Sequence, residues 1–187
     1  MFDTICARCN KEVLEPTIEL AVTIAREGRE GRRIGTLFTV GDAAAVIKQS
    51  RPLILDPLAG HPDEVKRIAD PNLRGTIKEL AQLDGAFVVS DAGVVVSACR
   101  YLDAAASGID LPLGLGSRHL AGASISKLTR ATAVVVSESA MVRIFDKGLL
   151  VAEIIPELWL FNRHNIQLPA PFTEERVSDL TVLVKQP

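Results

Sequence analysis

Aromatic residues are scarce in this chain: one Trp, one Tyr and six Phe in 187 residues, or 4%. That poverty excludes a base-stacking platform for nucleic acid. An excess of one charge is missing too. Lys plus Arg total 21 against 23 Asp plus Glu, a net charge of -2, which excludes a broad polyanion-binding surface. No run of about 18 apolar residues occurs, so no transmembrane helix and no membrane partner are expected. No apolar segment of the secretory kind opens the chain, which makes the cytoplasm the expected location. Cysteine is limited to Cys6, Cys9 and Cys99, too few for a disulfide framework. Cys6 and Cys9 have half the spacing of a zinc knuckle but no second pair, and read as incidental thiols.

What is present is apolar. Hydrophobic residues make up 48% and mean hydropathy is +0.23, which suggests a largely buried sheet and a buried subunit interface. Residues 12–27 carry Leu14, Ile18, Ala21 and Ala25 at helical spacing. Residues 34–40 form a β-type run, and Asp42 can cap a short helix over 43–49. An extended segment follows at 52–56 and a helical turn at 63–69. Asp70 and Pro71 open a helix that turns Leu73, Ile77 and Leu80 inward.

The clearest β signals are two hairpins, 86–90 with 94–98 and 141–145 with 149–154, and a strand at 133–137. Ser117 can cap a helix over 118–129. The pattern predicts an α/β fold: a single domain with a mixed, largely buried central β-sheet flanked by helices. The domain is expected over 1–155, with 1–11 as a frayed N-terminus. Residues 156–187, with Trp159, Phe161 and a possible strand at 180–184, form a C-terminal extension expected to pack on the same domain or a partner subunit.

Three places set polar groups at the ends of apolar elements. Asp84, Gly85 and Ala86 precede a buried strand, where an acid could meet a ligand or simply make an Asp-Gly turn. Gly114 to His119 leads into a helix N-terminus. Free N–H groups there, the Ser117 hydroxyl and the Arg118 fork suit an anion, and His119 suits phosphate or metal; a plain capped helix is the alternative. Ser137, Glu138 and Ser139 leave a Val-rich strand, as a ligand site or as turn residues. Together they make the inventory of a metal-dependent nucleotidyl transfer site. No carboxylate lies between Asp110 and Glu138, while Arg118, Lys127 and Arg130 do, so one stretch is locally cationic.

Asp84-Gly85-Ala86, then Gly116-Ser117-Arg118-His119, then Val136-Ser137-Glu138, in that order and context, resemble the diadenylate cyclase domain. That is the nucleotide-binding domain first described in the DNA-integrity scanning protein. The similarity covers roughly residues 20–155, and the segments 35–42 and 55–62 look most like its stand-alone archaeal branch. The resemblance implies condensation of two ATP into cyclic di-AMP, with release of pyrophosphate, across two sites face to face in a homo-oligomer, assisted by Mn²⁺ or Mg²⁺. It implies Asp84, His119 and Glu138 as catalytic and metal-binding residues, and Gly85, Ala86, Gly116, Ser117, Arg118 and Ser137 around the nucleotide. Leu120 and Ser139 stand where many members have a second Arg and a second acid; one phosphate contact is then missing or comes from elsewhere, such as Arg130 or Lys127. The same departures suit an alternative, a nucleotide or cyclic-dinucleotide sensor on this fold. An unrelated metal phosphohydrolase would need more ligands than His61, His119 and His164 provide.

Overall fold

The computed structural model describes residues 8–53, 55–103 and 105–157 in full, and the backbone of 172–177 and 180–185. Two compact units result, 1–156 and 157–187. The first runs α1 (Lys11–Glu27), β1 (Thr36–Val40), α2 (Ala43–Lys48), β2 (Ser50–Pro52), a 3₁₀ turn (Asp63–Lys66), α3 (Pro71–Leu80), β3 (Ala86–Val89), β4 (Val95–Leu102), α4 (Ser117–Leu128), β5 (Thr132–Val136), β6 (Val142–Asp146) and β7 (Leu149–Ile154). The second contains the antiparallel pair β8 (Phe172–Val177) and β9 (Leu180–Lys185). Trp159, Phe161 and His164 lie outside the described residues.

Seven strands form one mixed sheet in the order β2-β4-β3-β1-β5-β6-β7. β1 and β3 are parallel, with Leu37 opposite Ala86, and every other neighbouring pair is antiparallel. A parallel pair needs a long crossover, here residues 41–85. β1, β3 and β5 are buried at every position. That requires cover on both faces and explains why they read as unbroken apolar runs. α1 and α4 both pack against β1, β5 and β6. On one face Leu37, Ala86, Ala133 and Val135 meet Ala123 and Ile125 of α4. Alternate residues point the other way, and there the Phe38 and Phe87 rings stack with centroids 5.0 Å apart. Among the described residues no helix is long and apolar enough to cross a membrane.

Several local expectations need correction. The chain is not frayed from Arg8 onward. Asn10 caps α1 through its side chain, and Arg8 reaches the far end of α4. Arg8 Nε donates to Asp146 Oδ1 at 2.9 Å, and its terminal nitrogens donate to the Ser126 and Thr129 carbonyls. Those carbonyls belong to a helix C-terminus, which lacks intrahelical partners and favours a cation. Cys9 is disulfide-bonded rather than an incidental thiol. Ser117 does not cap α4: Gly116 holds the N-cap position with no side-chain bond, and Ser117 is the first helical residue. Asp42 sits at the N-cap of α2 but sends its carboxylate to the Arg130 N–H instead. Leu80 is only half-buried, and the extended segment pairs over 50–52 rather than 52–56.

Arg8 and Asp146 are both largely buried, with side chains 20% and 12% exposed. Removing one partner of such a pair strands a charge. Arg8→Met should therefore lower stability by about 2–3 kcal/mol, a fall of roughly 5–10 °C in Tm by circular dichroism. An unchanged Tm would show that this anchor is dispensable.

Candidate active site

Strand register brings the three sequence motifs to one edge of the sheet. Ala86 lies opposite Leu37 at the start of β1, and Val136 lies opposite Thr36 at the end of β5. The site therefore sits at the amino ends of the parallel pair and the carboxyl end of β5, not at the carboxyl ends usual for parallel sheets. Gly85 is obligatory here. Its φ is +105°, and a Cβ would stand 2.5 Å from the Cys99 carbonyl carbon of β4. Gly35 lies against the Arg118–Glu138 pair. A Cβ on it would lie 2.6 Å from Arg118 Nη1 and 3.3 Å from the Glu138 side chain.

Two cavities meet at this edge. The larger, about 410 Å³, has an apolar wall from Leu37, Leu53, Ala86, Tyr101 and Leu102, and a polar mouth from Asp84, Ser117 and Arg118. The smaller, about 220 Å³, is mostly polar: Gly114, Gly116, His119, Ser137 and Glu138 line it, again with Ser117 and Arg118. Every candidate residue borders one cavity, and Ser117 and Arg118 border both. Arg118 spans the two carboxylates. Nη1 donates to Glu138 Oε1 at 2.8 Å, and Nη2 donates to Asp84 Oδ1 at a long 3.4 Å. All three side chains face solvent, so these pairs are screened and weak. An arriving phosphate can take the guanidinium from them.

The loop before α4 is held from two sides. Ile109, Leu111 and Leu115 seat on the core, and Lys127 donates to the Ser107 and Gly108 carbonyls. Lys127 is thus committed to the loop. The cation beside His119 is Arg143 of β6, which the sequence reading missed; nothing in a half-buried strand position advertised it. Arg143 Nη1 lies 3.3 Å from His119 Nε2, and Glu153 Oε1 accepts from Arg143 Nε at 2.6 Å. His119 is 6% exposed. Burial, and then the charges of Arg143 and Arg118, hold its imidazole below its ordinary pKa; the Gly116 carbonyl pulls more weakly the other way.

A divalent ion does not fit the expected tripod. The Nε2 of His119 faces a guanidinium, which leaves only Asp84 and Glu138 of the expected three to reach an ion. Among the described residues, no three metal-ligating side chains converge. A cleft this shape, apolar at one end and polar and cationic at the other, is suited to a nucleoside joined to phosphates.

The domain description "DisA bacterial checkpoint controller nucleotide-binding" matches residues 23–150. The chain belongs to that family, the diadenylate cyclase (DAC) domains. Two curated relatives, both named diadenylate cyclase, come from Methanocaldococcus jannaschii and Haloferax volcanii. They are 49% identical over 157 residues and 43% over 154, covering 83% and 82% of this chain but 49% and 56% of their own lengths. The chain thus spans about half the length of these relatives. Both organisms are archaea, in keeping with the branch the motifs suggested. A crystal structure of a DacA double mutant from Staphylococcus aureus is 21% identical, with a TM-score of 0.49, over 82% of this chain and 95% of that one.

The pH response of His119 is testable. Its folded pKa lies below the ordinary 6.5, so in acid the unfolded chain binds a proton that the folded chain resists. Stability should then fall as pH drops below about 6.5, levelling once His119 itself protonates. Between about pH 7.5 and about pH 5.5, the urea midpoint of wild type should fall further than that of His119→Asn. Equal falls would mean that His119 titrates as it does in the unfolded chain.

Proposed function

We propose that this chain is a diadenylate cyclase, condensing two ATP into cyclic di-AMP and two pyrophosphates. The observation that carries the reading is the pair of cavities joined at Ser117 and Arg118. An adenosine suits the apolar one and a triphosphate the polar one, with the α-phosphate at the junction. Asp84, beside that junction, takes the proton from an attacking 3′-hydroxyl. Arg118, the Ser117 hydroxyl and the N-terminal amides of α4 neutralise charge gathering on the phosphoryl oxygens.

The described residues of one chain present one such cleft, and the product joins two nucleotides head to tail. The reaction therefore needs a second copy, cleft facing cleft, so that each 3′-oxygen meets the other α-phosphorus and pyrophosphate leaves in line. Mn²⁺ or Mg²⁺ would enter with the triphosphate, near Asp84 and Glu138, not on a preformed tripod. ATP supply would place the reaction in the cytoplasm.

Purified chain incubated with ATP and Mn²⁺ or Mg²⁺ should yield cyclic di-AMP by mass spectrometry. Asp84→Asn should lose at least about 100-fold in turnover while still binding ATP. A chain that folds, binds ATP and makes no product with either metal would overturn the proposal. The lack of a metal tripod, together with Leu120 and Ser139, favours one second reading, a nucleotide sensor. Saturable ATP binding without pyrophosphate release would select it.

A further inference from the structure

His119 connects the turn ahead of α4 to the β6–β7 hairpin. A guanidinium donates hydrogen bonds and does not accept them. The 3.3 Å contact to Arg143 Nη1 therefore makes Nε2 the lone-pair nitrogen, and the neutral ring carries its proton on Nδ1. Arg143 is fixed in turn by Glu153 from the neighbouring strand. The ring also stands edge-on to Phe145, centroids 6.2 Å apart, which limits its swing. On its other side Nδ1 is buried with no hydrogen-bond partner, while the backbone N–H of His119 donates to the Gly116 carbonyl at 3.0 Å.

We propose that His119 is a positioning residue, not a metal ligand: Glu153 and Arg143 hold it in the Nδ1–H form, and through the ring they tie the first turn of α4 to β6 and β7. Neither nitrogen is open to a divalent ion. Nε2 already faces a cation, and Nδ1 carries a proton and has no solvent-facing side. His119 shares the first turn of α4 with Ser117 and Arg118, so fixing the ring fixes the direction of those two residues into the smaller cavity. The consequence for phosphates rests on the proposed cyclase site; the tautomer does not.

The test is the histidine ring spectrum of ¹⁵N-labelled full chain near neutral pH, with His119→Asn identifying the resonance. Wild type should show a protonated Nδ1 and a bare Nε2. Arg143→Met should release that preference, and Mg²⁺ with ATP should leave the Nε2 of wild type free of any metal-ligation shift. A protonated Nε2 in wild type, or a ligation shift on adding Mg²⁺ and ATP, would overturn the proposal. Arg143→Met should also raise the KM for ATP roughly tenfold, the worth of one charge-assisted hydrogen bond, and Arg143→Lys should restore most of it. A fall in kcat with unchanged KM would count against positioning. If Arg143→Met does not fold, Glu153→Gln carries the same comparison. A chain that makes no cyclic di-AMP would defeat the proposed activity while the ring spectrum still decides the role of His119.

Discussion

Parallel pairing of β1 with β3 is the constraint on which the site depends. It aligns the amino ends of two buried strands, and antiparallel β5 delivers its carboxyl end to the same edge. Slipping either register by one residue would turn each side chain to the opposite face. Asp84 and Glu138 would then no longer flank Arg118. Two glycines make the alignment possible by removing side-chain atoms where structure crowds: Gly85 against the backbone of β4, and Gly35 beneath the Arg118 guanidinium. The acid, the cation and the second acid are thus set by backbone contacts within the sheet.

The same geometry accounts for the weakness of the pairs that Arg118 makes. Its partners face solvent, where attraction between opposite charges is small. A rigid buried pair in that place would compete with a ligand; an exposed one yields. One layer behind, a polar chain runs from buried His119 through Arg143 to exposed Glu153 and braces the helix start. A yielding front rank over a braced helix start suits the phosphate-binding role proposed for this cleft.

Much of this was legible in the sequence because it rests on local chemistry. Unbroken Val-rich runs announced strands buried on both faces, and Asp70 followed by Pro71 announced a helix start. The motifs around Asp84, Arg118 and Glu138 pointed to one site, and the register brings them together. What escaped was set by tertiary contact. Arg143 and Gly35 become site residues only through neighbours far along the chain. Arg8 looked like part of a loose terminus because its partners are carbonyls and an acid more than 100 residues away. Ser117 looked like a cap because the local pattern allows it, yet the helix begins one residue earlier. The metal tripod was inferred from residue types, but side-chain direction governs ligation, and His119 turns its Nε2 to Arg143.

The crossover over residues 41–85 has a kinetic meaning as well. β1 must wait for β3 across that whole segment, and for β5 still further along the chain. Contacts so distant in sequence form slowly, because chain entropy is lost before they repay it. The cleft is assembled from those same long-range pairings, so its geometry depends on the complete sheet. A chain in which that crossover has not closed lacks the cleft altogether.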